Sequence, residues 1–154
     1  MKPLKTSSKV NSMPRKWVTV GWLVFSLIGF LDSTYLTIQH YRGALVGCGI
    51  LSNCEEVTTS EYAVIAGIPL ALLGALYYLT IFLLTIAYFD TKHSLILTVI
   101  PLLTILGFIA SLILVYLQVF VIHALCLYCL MSALISTGLF ILAMISKFDW
   151  FAKT

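Results

Sequence analysis

Three long stretches of this chain are almost free of charge, and they limit its fold more than any other feature. One runs from Trp17 to about Gln39 and a second from Ile68 to Phe89. From Leu95 to Ile145 the chain is apolar almost without interruption. A helix needs about 20 apolar residues to cross roughly 30 Å of hydrocarbon. The last stretch is too long for one crossing and right for two, with a weak polar break at Gln118 to His123. The predicted spans are therefore about 17–39, 68–89, 95–117 and 124–146. The expected fold is an all-α membrane protein, a four-transmembrane-helix bundle with an outer loop, 40–67, between helices 1 and 2. Composition agrees: 61% of the 154 residues are hydrophobic and 10% charged, against about half and about a quarter in a soluble domain. One bundle uses the whole length, giving a basic arm at 1–16, a single helical catalytic domain at 17–147 and a tail at 148–154. Nothing in the chain points to nucleic acid.

Local signals refine these bounds. Pro69 fits the first turn of the second helix, where its missing N–H is not needed. The polar residues Asp90 to Ser94 end that helix in a short hairpin. Pro101 falls inside the third span, where a kink is tolerable in a packed bundle. Trp150 and Phe151 suit a membrane interface.

Charge sets the expected orientation. Lys2, Lys5, Lys9, Arg15 and Lys16 lie in the arm, Lys92 in the hairpin, and Lys147 and Lys153 in the tail; the opposite side carries Arg42 alone. The positive-inside rule makes both termini cytoplasmic. The 40–67 loop, with Glu55, Glu56 and Glu61, and the 118–123 turn then face the periplasm or exterior. The expected location is a cytoplasmic (inner) membrane. A basic start before an apolar run can also be a cleaved signal peptide, and Leu45 to Cys48 has the look of a lipoprotein cleavage box. The apolar run exceeds the 7–15 residues of a signal core, however, and Gln39 to Arg42 separate it from the box.

Charge topology alone gathers all four cysteines on the outer side, where disulfides persist. Cys48 and Cys54 sit in the outer loop. Cys126 and Cys129 are three residues apart at the start of the fourth span, so they share one helix face. Free N–H groups and the helix dipole there favour a thiolate. Gly47 and Gly49 let the loop pair move, so it could exchange with a soluble partner and then with the fixed pair, one thiolate attacking one disulfide. The rival readings are a purely structural 48–54 disulfide, buried cysteines that only pack, and a four-cysteine zinc site. The flanks Leu125, Leu127, Tyr128 and Leu130 lack the tight turn of a zinc knuckle, so no metal is expected.

Three further polar residues are candidates. Asp32 lies within the first span, and an ionisable residue there is a functional hypothesis by default. It could relay protons, or it could be a bundle-facing carboxylate bonded to neighbouring hydroxyls. His123, three residues before Cys126, could stabilise a thiolate or pass a proton, or simply mark the membrane surface. Trp22, Tyr77, Tyr78 and Tyr128 could line a ring-binding cavity or pack.

Several of these elements resemble one family. Cys48-x5-Cys54, then Val57, Ser60 and Tyr62, then Gly67-Ile68-Pro69-Leu70 with Gly74, and Cys126-x-x-Cys129 are similar to bacterial homologues of vitamin K epoxide reductase. So is the Leu31 to Thr37 end of the first span. The resemblance covers roughly residues 17 to 146. It implies a bundle around a quinone, menaquinone or ubiquinone, as electron acceptor. Cys48 would exchange with a partner protein, Cys54 with Cys126, and Cys129 would reduce the quinone. Ser60 matches a serine or threonine that supports quinone reduction or the loop. The partner implied is a separate thioredoxin-fold thiol oxidase, because many members fuse such a domain and this chain stops at Thr154. Leu130-Met131-Ser132-Ala133 stands where members acting on vitamin K carry Thr-Tyr, and no asparagine occurs at 68–78. Vitamin K epoxide reduction and a non-catalytic scaffold or metal-binding protein are the alternatives. A second family of disulfide-forming quinone reductases has its two cysteine pairs in the reverse order.

Overall fold

The computed structural model describes residues 16–43, 57–58, 60–91 and 95–151, the last four as backbone only. Four helices dominate it: α1 (Lys16–Arg42), α2 (Leu70–Thr91), α3 (Ile96–Tyr116) and α4 (Leu127–Phe151). The helical path of α3 continues through a wider, π-helical turn at Leu117–Ile122. All four are long and apolar enough to cross a membrane. They close into a ring, α1 packing on α2 and α4, and α3 on α2 and α4.

Small and hydroxylated residues face inward. On α1 the buried set includes Thr19, Ser26, Gly29, Ser33 and Thr37, while Leu27, Ile28, Leu31 and Ile38 face outward. That distribution suits a helix in lipid, where apolar side chains gain nothing by leaving the surface and small residues let backbones approach. The inward hydroxyls cost little because they bond back to their own helix: Ser26 donates to the Trp22 carbonyl at 2.6 Å, Thr37 to Ser33 at 2.7 Å and Thr85 to Ile81 at 2.7 Å. Pro101 is buried within an unbroken α3.

One core fills the end of the bundle that holds the starts of α1 and α3 and the middle of α4. It contains Val18, Trp22, Tyr78, Ile81, Ile100, Ile135, Leu139 and Ala143. Gly29 makes room for the Tyr78 ring; a Cβ there would lie 2.7 Å from two ring carbons. The Tyr78 hydroxyl thereby reaches Ser132 on α4, 2.9 Å from its carbonyl and 2.8 Å from its Oγ.

Three expectations are corrected. Ile68 and Pro69 do not open a helix. They form β2 (Ile68–Pro69), antiparallel to β1 (Val64–Ile65), with Val64 opposite Pro69 and Ile65 opposite Ile68. The turn between them is Ala66-Gly67, with φ of +52° and +82°. Positive φ at both positions is the geometry of a type I′ hairpin, and Ala-Gly does not advertise it as Asn-Gly would. Pro69 sits at the end of an edge strand, where a missing N–H is harmless. Nor does the chain break at Gln118. The helical path runs on to Ile122, and Gln118 is buried rather than part of a polar outer turn. The fourth helix also begins later than expected, at Leu127, and its backbone stays helical through much of the expected tail, to Phe151.

Candidate functional site

The end of α3 is bent into the site by one residue. His123 adopts the left-handed conformation, φ 55°, and its N–H bonds the Gln118 carbonyl. The N–H of Ala124 donates to the same carbonyl at 3.1 Å. The Gln118 side chain then reaches forward, and its Oε1 accepts the N–H of Cys126 at 3.1 Å. Main chain and side chain of Gln118 together hold the 123–126 corner against α3.

This corner delivers Cys126 to the N-cap of α4. The Cys126 carbonyl accepts the Leu130 N–H at 3.0 Å, the first bond of the helix. Its sulfur takes the place of a capping oxygen, receiving the backbone N–H groups of Tyr128 and Cys129 and a hydrogen bond from the Cys129 side chain. Capping side chains occupy that position because first-turn N–H groups have no partner in the helix. Cys126 precedes the fourth span, and the Cys129 bond is the main cause of its lowered pKa, about 7 rather than 9. Burial opposes this, the two N–H groups reinforce it, and the Asp32 carboxylate opposes it weakly. Both cysteines are free thiols.

The two sulfurs have different surroundings. Cys126 is fully buried and packs with Leu36, Val57 and Ala124. Cys129 lies on the wall of a partly open cavity of about 150 Å³ lined by residues of all four helices and of the segment before α2. That wall is mainly apolar (Leu36, Val57, Leu70, Leu114, Leu117 and Ile122 contribute), with Ser33, Ser60, Gln118 and Ser132 among its polar groups. An apolar cavity of this size accepts a single ring: an engineered one of about 150 Å³ binds benzene.

The predicted site residues fall into three groups. Ser60 and Cys129 line the same cavity. The Ser60 hydroxyl donates to the Val57 carbonyl at 2.8 Å, closing the turn that brings this segment onto the bundle. Asp32 is not on the cavity wall but is near enough to act on Cys126. Its Oδ2 is buried and has no hydrogen-bond partner among the described residues, and neither has Thr34 Oγ1. Oδ2 and the Thr34 hydroxyl are therefore not bonded to each other. His123 is exposed at the corner, away from the cavity. Cys48 and Cys54 lie outside the described residues.

Of the aromatic candidates, none lines the cavity. Trp22 and Tyr78 belong to the opposite core, Tyr77 packs against it, and Tyr128 lies against Tyr35 with ring centroids 5.2 Å apart. Gln118 escaped sequence reasoning because a glutamine near a span end reads as an interface residue; its usable signal was a lone amide eight residues before a C-x-x-C. Among the described residues, no group of three or more His, Cys, Asp or Glu side chains is placed to hold a metal ion.

A dithiol at a helix start, beside an apolar cavity among four helices long and apolar enough to cross a membrane, is the equipment a membrane oxidoreductase needs. A model of the vitamin K epoxide reductase family matches residues 21–144, and the chain belongs to that family. No curated protein matched the chain in the comparison made with it.

Proposed function

We propose that the protein oxidises an extracytoplasmic thioredoxin-fold thiol oxidase and delivers the electrons to a membrane quinone, supporting disulfide formation. The observation carrying this reading is the split between the two sulfurs. Cys129 lies on the wall of a ring-sized apolar cavity, while Cys126 is not on that wall and is buried with Leu36, Val57 and Ala124. Val57, which packs with Cys126, follows Cys54 by three residues in the sequence, and this reading takes Cys54 as the sulfur that exchanges with Cys126.

Electrons enter as two thiols of the partner, which become a disulfide while the Cys48–Cys54 disulfide is reduced. The Cys54 thiolate attacks the Cys126–Cys129 disulfide at Cys126, expelling Cys129. Cys48 then displaces Cys126 and restores the loop disulfide, leaving both fixed cysteines reduced. A quinone supplies a two-electron, two-proton acceptor when bound. The wall suits its head, an apolar ring with two acceptor oxygens. Cys129 meets the acceptor, Cys126 closes the disulfide behind it, and Asp32 and Ser60 are placed to move or hold protons. Both termini are cytoplasmic and the cysteines face outward in this scheme.

The test is a trap in the reconstituted protein. Cys129→Ala and Cys48→Ala should each accumulate a Cys54–Cys126 disulfide, and a partner lacking its second cysteine should accumulate a mixed disulfide with Cys48. If Cys126→Ala and Cys129→Ala still reduce quinone from a thiol donor, the reading fails.

A further inference from the structure

The Gln118 amide is only half used by the fold. Backbone N–H groups only donate, so the bond from Cys126 fixes the amide with Oε1 toward the cysteine and Nε2 turned away. Nε2 makes no hydrogen bond among the described residues. Yet Gln118 is 3% exposed, and it contributes to the cavity wall that carries Cys129. Nε2 is not among the fully buried unpartnered polar atoms of the described residues, so it keeps a little exposure, and a donor with no protein acceptor is open to an incoming one. The cavity is the direction in which an acceptor can come.

We propose that Gln118 Nε2 is the hydrogen-bond donor to a carbonyl oxygen of the acceptor bound in this cavity. The inference rests on the quinone reading and names the residue that orients the ring. One planar group would then hold both partners: Oε1 on the Cys126 backbone, Nε2 on the acceptor. Each would be held relative to the other through a single side chain. As the ring is reduced its oxygen gains negative charge, and the same bond strengthens.

Gln118→Glu keeps an acceptor for the Cys126 N–H and removes the donor. Menadione is the probe, bound at equilibrium to the fully oxidised protein, where no turnover occurs. Above the titration of the introduced carboxyl, affinity should fall about tenfold, the size of one lost hydrogen bond to a buried group. Below it, the protonated carboxyl donates again and affinity should return toward that of the unaltered protein, whose own binding varies little with pH. Carbonyl-labelled menadione gives a second measurement that needs no variant. Its infrared carbonyl band should shift to lower frequency when bound to the unaltered protein. Unchanged menadione affinity in Gln118→Glu overturns the inference. So does a loss that does not recover on acidification, or an unshifted carbonyl band. Failure of the quinone reading looks different: the unaltered protein would neither bind menadione nor reduce it from a thiol donor.

Discussion

The two ends of the bundle are packed by different rules. Away from the cysteines, Trp22, Ile81, Ile100 and Leu139 are fully buried against one another. At the cysteine end the buried residues are small or medium-sized, Ala124, Cys126, Val57 and Leu36, and a cavity remains between the helices. Lipid gives helices no hydrophobic reason to associate, so close packing must hold them. The filled end supplies that packing. The open end can then keep a gap, a left-handed corner and a buried thiol.

The largest effect that separates the ends is chemical. Cys129→Ala removes one sulfur from the cavity wall and leaves the filled core untouched. Thiol-driven quinone reduction should fall on the order of a thousandfold or more, as when a residue that makes the covalent bond is lost. Helix content and thermal unfolding should stay close to those of the unaltered protein. Activity retained within tenfold would remove Cys129 from the pathway.

Next comes stability. Leu139→Ala, at a fully buried position of the filled end, should cost about 2–5 kcal/mol by leaving a cavity. Leu36→Ala borders an existing cavity, so its neighbours lose fewer contacts and its cost should be smaller. It should instead alter the exchange rate of the dithiol that Leu36 packs on. Denaturant titrations of both variants in one detergent check this, and equal costs would erase the distinction between the ends.

The same distinction explains what the sequence made legible. The spans could be read because membrane thickness imposes a length and lipid excludes charge. The C-x-x-C could be read because spacing alone puts two residues on one helix face. The hairpin could not: its turn, Ala66-Gly67, carries no strong turn residue at the first position, and its strands are two residues long. Gln118 could not be read either. Its importance comes from a π-helical turn that rotates its side chain toward Cys126, and no periodicity announces such a turn. Asp32 was legible as unusual, but its lack of a hydrogen-bond partner depends on how the surrounding helices pack.

A smaller effect tests how the filled end supports the open one. Gly29→Ala forces the Tyr78 ring to move, which should cost about 1–3 kcal/mol as overpacking. The displaced hydroxyl would lose Ser132, which lies on the cavity wall. Tyr78→Phe removes the hydroxyl alone and should cost about 1 kcal/mol. If both variants weaken quinone affinity, the tyrosine transmits the packing of one end to the cavity at the other. If Gly29→Ala destabilises while quinone affinity is unchanged in both, the two ends are independent.

The smallest effect concerns the difference between the two sulfurs. Cys126 titrates near 7, chiefly because Cys129 donates a hydrogen bond to it. A lowered thiol pKa means the thiolate is present above that value and is lost as pH falls through it. In the reduced protein, thiolate absorbance attributable to Cys126, found by difference from Cys126→Ala, should rise through about 7. Cys129→Ala deletes the donor, so the step should move upward, toward the ordinary thiol range near 8.5. At neutral pH the thiolate fraction then drops, but the more basic sulfur that remains is the better nucleophile. These partly cancel, so mixed-disulfide formation by Cys126 with a small disulfide should slow by only about fivefold. A step that stays near neutrality without Cys129 would assign the lowered value to the N–H groups of the first turn instead, and make Cys126 a thiolate by virtue of the helix alone.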